Sequence, residues 1–401
     1  MVASDKSTSK RIIVLYANSF PIGGAATNRV THLCKILKQE GNSIRLYITR
    51  PTEKPDNLKT ARKGVFEGIE FCYVNKNIIW PEKLARKIQS QLIGLIKTAL
   101  ILIRGDFDLV LSYADYSLIH HFIYFIVSKI RRKKIVYAID EFPWSVIYHT
   151  SSVFDKIFLK VFYKLFDGLI VMTFTLAEYY SGKVRKDAII HQLPMTVDMD
   201  RFNVQLTHKI KGPSYIAYCG YDISTKNGLI VSKDGVDILI EAFSIIIPKH
   251  PDIFLYIIGE YNKYRVQQVE KLHLSGRVVF IGNVHRDNIP EYLFNAKLLV
   301  LARPNNKQAQ GAFPSKLGEY LATANPVVAT KVGEIPLYLK DNWNAFLAEP
   351  GNVQSFAEKM DYVLSNPGIA KKIGTRGREL AENEFDYKKQ GIKLQEFLTK
   401  L

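Results

Sequence analysis

Residues 303–330 combine side chains that could bind a phosphate-bearing ligand. Their sequence is RPNNKQAQGAFPSKLGEYLATANPVVAT, in which a loop ending at Ser315 runs into a predicted helix over 316–323. Backbone N–H groups at a helix start bind anions, and we expect Ser315 to cap this helix and complete such a site. Lys316 would add a charge-assisted hydrogen bond to a diphosphate. Glu319, one turn further, is poorly placed for phosphate and well placed to accept hydrogen bonds from ribose hydroxyls.

The remaining candidates are one further cation and a few acidic, cysteine and histidine residues that could be metal ligands. Arg303 is a second cation that could contact the diphosphate. Asp198-Met-Asp200 looks superficially like an acidic metal motif, but it does not follow a strand in a nucleotide pocket. The three cysteines form no CxxC pair, and His120-His121 lie in an apolar helical stretch that itself contains no acidic residue. We therefore expect neither a metal nor another cofactor.

The elements around these residues repeat one pattern, a short apolar strand followed by a helix. It opens with a strand over 11–16, a glycine loop over 18–24, a helix over 27–39 and a strand over 44–48. This β-α-β opening predicts a doubly wound parallel sheet. Further strands are predicted at 109–112, 134–137, 168–172, 215–219, 254–258, 278–281, 298–302 and 326–330.

The pattern restarts near residue 213, so the 401 residues predict two Rossmann-like domains. We place the first at 1–205 and the second at 206–385, and we expect the last helix, 386–401, to pack back on the first domain. Ligands of such sheets bind beyond the carboxyl ends of the strands. A cleft between two facing domains of this kind is therefore the expected site.

The segment Phe313-Pro-Ser-Lys-Leu-Gly-Glu-Tyr-Leu-Ala322, followed by Pro326-Val-Val328, resembles the donor-binding motif of family 4 glycosyltransferases. It is most similar to the branch that builds capsules and other cell-surface polysaccharides. Residues 23–29 (GGAATNR), 193–202 (LPMTVDMDRF) and 232–243 (SKDGVDILIEAF) also resemble segments of that family. The resemblance runs almost continuously through the second half and covers the two ends of the first half.

This resemblance implies a GT-B fold, α/β with two facing doubly wound domains and a C-terminal helix that crosses back. It implies a retaining hexosyltransferase that moves a sugar from a nucleotide diphosphate sugar, with a UDP-sugar expected first, to a glycan acceptor held by the first domain. The resemblance implies Lys233 as a catalytic residue. From the residues themselves we add Arg303 as a second cation and Glu141 as an acid that could orient or deprotonate the acceptor hydroxyl. The implied donor-binding residues are Gly23, Gly24, Gly220, Lys233, Arg303, Gly311, Phe313, Pro314, Ser315, Lys316, Leu317 and Glu319.

Three departures from the family pattern keep alternatives open. Gly311 stands where most members have a glutamate that touches the donor sugar, and Tyr221 stands where many have an arginine. The histidine common in the first domain is replaced by Asp140-Glu-Phe-Pro143, which could equally be an exposed turn. A catalytically inactive partner that binds sugar nucleotides is the main alternative. An NAD-dependent oxidoreductase is disfavoured, because no GxGxxG follows either first strand.

The charge of the chain suggests a second kind of partner. The formal net charge is +17, and roughly +12 of it lies in the first half. Two stretches there, 80–103 and 122–134, mix apolar residues with lysine and arginine and are too short to cross a membrane. They could be ordinary helices buried on a sheet or a contact with an anionic membrane. We expect a cytoplasmic protein, peripheral on the cytoplasmic face, that binds no nucleic acid.

Overall fold

The protein is an α/β protein of two compact units, as seen in a computed structural model that describes residues 9–55, 60–143, 159–203, 212–221, 225–226, 229–230 and 233–401. One unit comprises Met1–Pro194 together with Tyr387–Leu401, and the other comprises Met195–Asp386. Each unit is built on its own β-sheet.

The first unit contains an eight-stranded sheet. Its strands are β1 (Arg11–Tyr16), β2 (Ser43–Ile48), β3 (Lys63–Phe66), β4 (Ile69–Tyr73), β5 (Leu109–Tyr113), β6 (Lys134–Ile139), β7 (Gly168–Val171) and β8 (Ile189–Gln192). The order is β3-β4-β2-β1-β5-β6-β7-β8, and every pair is parallel except β3 with β4. The central strands are buried along nearly their whole length, as expected where helices cover both faces of a sheet.

Among the helices whose full bounds the structure describes in this unit are α1 (Ala25–Gln39), α2 (Leu84–Arg104), α3 (Leu118–Ile130) and α4 (Phe174–Ser181). Helix α1 buries Val30, Leu33 and Leu37, the residues whose spacing predicts it. Helices α2 and α3 contact each other. A Cβ on Gly94 would lie 2.2 Å from the carbonyl oxygen of Thr49, so this glycine lets α2 approach the carboxyl end of β2.

The second unit contains a six-stranded parallel sheet and a short antiparallel hairpin. Its strands are β9 (Tyr215–Cys219), β10 (Thr225–Lys226), β11 (Leu229–Ile230), β12 (Phe254–Ile258), β13 (Val278–Gly282), β14 (Leu298–Leu301), β15 (Val327–Thr330) and β16 (Phe346–Ala348). The sheet order is β13-β12-β9-β14-β15-β16, and β10 pairs only with β11. Its helices are α5 (Val236–Ile246), α6 (Lys263–Lys271), α7 (Ile289–Asn295), α8 (Lys307–Gly311), α9 (Ser315–Ala322), α10 (Ile335–Tyr338), α11 (Val353–Ser365) and α12 (Pro367–Leu380).

The division between the units differs from the boundary expected after residue 205. The second unit already begins at Met195, because the residues that follow it pack on elements of that unit. The N–H of Val197 donates to the carbonyl of Phe385 at 2.7 Å, and a Cβ on Gly318 would meet the side chain of Met195 at 2.6 Å. Residues 204–211, which include much of the expected joint, lie outside the described residues.

The chain ends with helix α13 (Gly391–Lys400), which belongs to the first unit. It buries Leu394, Phe397 and Leu398 in the same core as α1 and β1. The side chain of Asn42 donates to Gln395 at 2.7 Å. The last helix thus completes the first unit although the whole second unit separates it in sequence.

In each sheet the strand order reverses beside the first strand of the unit, and several candidate residues lie in the loops at that position. In the first unit, β2 and β5 lie on opposite sides of β1, so the loop after β1 opens at a topological switch point. In the second unit, β12 and β14 flank β9 in the same way, and the loops after β9 and β14 lie at the switch point. Ligands of doubly wound sheets bind there.

Candidate functional site

The loop after β1 forms a pocket of about 540 Å³ in the first unit, lined in part by Tyr16, Gly23, Gly24 and Arg50. A Cβ on Gly23 would lie 2.1 Å from the hydroxyl oxygen of Thr27, so the loop needs glycine at this position. A Cβ on Gly24 would meet nothing within 4 Å. Gly24 therefore borders open space, where a ligand could approach the backbone closely.

Hydrogen bonds hold the wall of this pocket. The hydroxyl of Thr27 lies 3.1 Å from that of Tyr16 and donates to the carbonyl of Ser19 at 2.9 Å. Arg50 donates through Nε to the carbonyl of Ala17 at 2.8 Å. The two predicted glycines thus lie in a loop that is tied to β1 and α1 on both sides.

A half-buried carboxylate, Asp140, follows β6 in the same unit. Tyr113 donates its hydroxyl to Asp140, and Nε of Arg29 lies 3.5 Å from the carboxylate. Burial raises the pKa of Asp140, while the positive charge of Arg29 acts in the opposite direction. Arg29 also donates to the carbonyl of Leu193 at 2.6 Å. Sequence reasoning favoured the neighbouring Glu141, which is half-buried and whose carbonyl oxygen accepts a hydrogen bond from Tyr180 at 3.5 Å; Asp140 is a second candidate that the structure adds.

In the second unit, Lys316 is held at the end of β9. Its ammonium group forms an ion pair with Asp234 and donates to the hydroxyl of Tyr218 at 3.2 Å. Tyr218 donates to the same carboxylate at 2.9 Å. Burial by itself would raise the pKa of Asp234, but the charges of Lys316 and Arg303 outweigh it and lower that pKa to about 2. The lysine is therefore fixed as a cation by a carboxylate that stays ionised at neutral pH.

Gly220 makes room for this lysine. A Cβ at this position would lie 1.9 Å from the ammonium nitrogen of Lys316. A Cβ on Gly259, which has a φ of 115°, would lie 2.1 Å from the carbonyl oxygen of Gly220. Two glycines thus allow β9, β12 and the lysine to converge. Tyr221 is exposed, and a hydrogen bond with Glu260 raises its pKa.

The start of α9 corrects one expectation. Ser315 is the first residue of the helix and Pro314 occupies the capping position, with no side chain accepting a capping hydrogen bond. Proline has no side-chain acceptor, and its backbone geometry (φ −73°, ψ 113°) delivers the chain directly into the helix. The predicted serine cap is therefore wrong. The leading N–H groups of α9 receive no side-chain cap.

Several predicted donor-binding side chains lie in the core. Phe313 packs on Tyr338 and Phe385 with ring centroids 5.3 and 5.5 Å away. Leu317 is fully buried, and Gly311 is buried at the end of α8. Any contact of these three residues with a donor would come from the backbone.

Arg303, directly after β14, is also inside the protein. It is 1% exposed and donates through Nη1 to the carbonyl of Ala312 at 3.2 Å. Its own carbonyl accepts from the hydroxyl of Thr330 at 2.6 Å. Its charge acts beneath the loop that leads to α9, where it also helps to lower the pKa of Asp234.

Glu319 lies on α9 one turn after Lys316 and is paired with a residue that sequence reasoning missed. Its Oε1 accepts from Nη1 of Arg201 at 3.1 Å, and Nη2 of Arg201 donates to the carbonyl of Arg286 at 2.7 Å. The Glu319 side chain keeps 22% exposure. Its second oxygen accepts no hydrogen bond from the described part of the chain, which leaves it directed at a ligand or solvent.

Lys233 precedes the start of α5. It is half-buried, and Gly235 two residues later adopts a φ of 68°. A Cβ on Gly235 would lie 1.9 Å from the carbonyl oxygen of Ala302, so this glycine brings the segment against the end of β14. Ser232, part of the same sequence motif, lies outside the described residues.

Neither a cluster of metal-ligand side chains nor a membrane-spanning helix occurs in the described part of the chain. No group of three or more His, Cys, Asp or Glu side chains comes together among the described residues. Within those residues, no helix is both long and apolar enough to span a bilayer.

The sequence of the second unit matches a known family model. Residues 222–380 match the model of glycosyl transferases group 1, and this range contains Lys233, Arg303, Lys316 and Glu319. The similarity to this family therefore lies within the second unit. The match covers the loops at the switch point of the second sheet and most of the helices around it.

Relatives with curated names are similar over part of their length. The chain is 27% identical over 198 residues to an uncharacterized glycosyltransferase of Methanocaldococcus jannaschii, covering 46% of this chain and 53% of that protein. It is 24% identical over 218 residues to a GDP-mannose-dependent phosphatidylinositol monomannoside mannosyltransferase of Mycolicibacterium smegmatis, covering 53% and 56%. It is 27% identical over 161 residues to the capsular polysaccharide biosynthesis glycosyltransferase CapM of Staphylococcus aureus, covering 39% and 40%. The similarity thus spans about half of these relatives or less.

Solved structures match over nearly the whole chain and confirm the predicted GT-B fold. Anabaena Alr3699/HepE, crystallised with UDP, superposes with a TM-score of 0.70 at 18% identity, covering 98% of this chain and all of that one. WaaG, a glycosyltransferase of lipopolysaccharide biosynthesis, superposes with a TM-score of 0.69 at 15% identity, covering 97% and 99%.

Proposed function

We propose that this protein is a retaining glycosyltransferase that moves a hexose from a nucleotide diphosphate sugar, with a UDP-sugar as the first candidate, to a glycan acceptor. The observation that carries the proposal is the placement of two charged side chains on α9, within the residues that match the family model. Lys316 and Glu319 stand three residues apart, so they lie on the same side of the helix. At this spacing, the fixed cation of Lys316 could bind a phosphate of the donor, and the partly exposed carboxylate of Glu319 could bind the adjoining ribose.

On the donor side, the proposed chemistry is stabilisation of the leaving diphosphate. Negative charge grows on the diphosphate as the bond between the sugar and the diphosphate breaks. Positive charges and N–H dipoles that are already in position lower the barrier most, because they need not reorganise. Lys316 is already fixed by Asp234. The uncapped start of α9 would supply N–H donors, and Lys233 and Arg303 would supply further charge without a metal.

On the acceptor side, the proposal assigns the hydroxyl to the pocket of the first unit and to the acidic pair Asp140 and Glu141. A carboxylate near the acceptor would orient the hydroxyl and take its proton. Arg29 and Tyr113 hold Asp140 in place. Retention of configuration rests on the resemblance to family 4 enzymes.

For the pathway, we propose synthesis of a cell-surface polysaccharide or glycolipid on a lipid-linked acceptor. The similarity to CapM and the positive charge of the chain support this choice. A lipid-linked acceptor would place the protein at the cytoplasmic face of a membrane.

One alternative is a partner that binds sugar nucleotides without turning them over. Gly311 and Tyr221 motivate it, because they stand where related enzymes have charged residues. Binding alone cannot distinguish this partner from an enzyme, so turnover must be measured.

The test is a panel of UDP-, GDP- and ADP-sugars in which nucleoside diphosphate release is followed over hours. The native protein is compared with Glu319→Ala and with Glu358→Ala, a change of a glutamate on α11. We expect one donor to be hydrolysed slowly by the native protein and by Glu358→Ala, and not by Glu319→Ala. Binding of a donor with no release of diphosphate, with or without candidate acceptors, would favour the inactive partner.

A further inference from the structure

Helices α2 and α3 carry rows of large apolar side chains that the fold does not bury. On α2 the spacing is almost uniformly four residues, which places the row on one slowly turning stripe. Each side chain is 39% to 77% exposed. We call the set the outer face: Leu84, Ile88, Leu92, Ile96, Leu100 and Ile103 on α2, with Ile119, Phe122, Ile126 and Ile130 on α3.

The two rows belong to neighbouring helices. Helices α2 and α3 contact each other, and Arg131 at the end of α3 donates to the carbonyls of Leu102 and Ile103 at 3.1 and 2.6 Å. Helix α2 is bound to the sheet mainly by its second half, since its buried residues begin at Gly94. The first half therefore exposes much of its circumference, which an ordinary sheet-covering helix does not.

The charge on these helices has one sign. From residue 83 to 104 the chain has five lysines and arginines and no acidic residue, and the same is true from 118 to 134. A pocket of about 560 Å³ beside the first turns of α2 is lined by Lys76, Lys83, Arg86 and Lys97, and Glu82 is the one acid among its described lining residues. Lys129 and Lys133 are paired with Asp167 and Asp108, but the basic residues from 83 to 104 form no ion pair within the described part of the chain. Apolar rows flanked by these cations match a surface that is apolar inside and anionic outside.

We propose that the outer face binds an anionic phospholipid membrane, with its apolar rows in the boundary between headgroups and acyl chains and with the pocket beside α2 at the level of the phosphates. Interfacial helices bind membranes through this combination of apolar burial and electrostatic attraction. Each basic residue near an anionic bilayer contributes about fivefold to the partition coefficient.

A second copy of the chain is the main competing occupant, and the charge argues against it. Two outer faces packed together would place ten basic residues opposite ten, and in each set only Lys129 and Lys133 have an acidic partner in the described part of the chain. Insertion across the bilayer is also disfavoured, because neither helix is long and apolar enough. The remaining choice is a surface contact with lipid.

This inference deepens the proposed membrane location, and it can be tested without any donor or acceptor. The full chain is sedimented with phosphatidylcholine vesicles that contain or lack phosphatidylglycerol. Three variants are compared: the triple change Ile88→Ser, Leu92→Ser, Ile96→Ser, the double change Lys83→Glu, Arg86→Glu, and a matched control. The control, Ile245→Ser, Ile369→Ser, Ile392→Ser, removes three equally apolar exposed side chains from other helices.

We expect the native chain and the control to bind vesicles containing phosphatidylglycerol, and binding to weaken as salt rises. Each outer-face variant should lower the partition coefficient by about tenfold or more, with an unchanged circular dichroism spectrum. Equal binding by the triple variant and the native chain would overturn the proposal. So would a native dimer that the triple variant abolishes in sedimentation velocity. Because no donor is present, failure here leaves the glycosyltransferase proposal standing.

Discussion

At the scale of single residues, the candidate donor site depends on partners that are distant in sequence. Lys316 could be predicted from its place in a recognisable motif, but its partner Asp234 lies 82 positions earlier. Sequence spacing gives no measure of such a distance, so Asp234 and Tyr218 were missed. Arg201 was missed for the same reason. The burial of Arg303 was also unexpected, since arginine is among the residues that are least often fully buried.

The ionisation of Asp234 predicts a pH dependence of stability. Its pKa in the folded protein, about 2, lies below the ordinary value of 3.8. Ionised Asp234 therefore stabilises the folded state above about pH 4, by on the order of 2 kcal/mol, and this contribution is lost as the pH falls from 4 toward 2. Urea unfolding of the native chain and of Asp234→Asn should show a difference that is constant from pH 7 to 5 and narrows below pH 4. Asp252→Asn, at an exposed aspartate, should show no such trend.

The pair of Arg201 and Glu319 predicts a coupled effect on nucleotide recognition. If Arg201 holds the carboxylate that contacts ribose, Arg201→Gln and Glu319→Gln should each reduce the preference for UDP over its dideoxyribose analogue. In a double-mutant cycle for UDP binding, the coupling between the two residues should be about 1 kcal/mol. Calorimetric titration of the four proteins measures it. Strictly additive effects would mean that Arg201 does not position Glu319.

At the scale of elements, the sequence predicts the central strands well, but it predicts edge strands and the ends of helices poorly. Strands β1, β9 and β12 match their predicted residues because strands buried on both faces are continuous apolar runs. Strand β3 (KGVF) is short and mostly exposed, so its composition gives little signal. The start of α9 was predicted one residue late, because Ser315 is a common capping residue and Pro314 was not considered for that position.

Two glycines beside the donor site predict different failures. A methyl group at Gly220 would collide with the ammonium end of the Lys316 side chain, so Gly220→Ala should displace the lysine from Asp234 and weaken UDP binding by about tenfold, with a smaller loss of stability than Gly259→Ala. A methyl group at Gly259 would collide with backbone at a positive φ. Gly259→Ala should therefore lower the free energy of unfolding by about 2 kcal/mol or more. Urea unfolding and UDP titration separate the two effects, and equal losses of stability would contradict this account.

At the scale of the whole molecule, the first unit is assembled from both ends of the chain. The restart of the strand pattern predicts two domains, but the position of the division depends on where residues 195–203 pack. The last helix, 386–401, was expected to pack back on the first domain. Its buried side chains show that it is part of the first core.

A matched pair on α13 tests that assignment. Leu394 is fully buried and Ile392 is 69% exposed on the same helix. Leu394→Ala should cost about 2–4 kcal/mol through the cavity it leaves, and Ile392→Ala should cost little. In amide hydrogen exchange, Leu394→Ala should lower protection in β1 and α1 and leave β9 and β14 unchanged. Loss of protection in the second unit instead would contradict the assignment.

The most direct test of the central claim is calorimetric titration of UDP into the native chain, Lys316→Met and Lys307→Met. Lys307 is an exposed lysine on the short helix that precedes α9, so its loss controls for a general change in charge. If the donor diphosphate binds at the start of α9, Lys316→Met should weaken UDP binding by about tenfold to a hundredfold, the value of one charge-assisted hydrogen bond, and Lys307→Met should match the native chain. Equal affinity of all three proteins would show that the nucleotide does not bind at this helix.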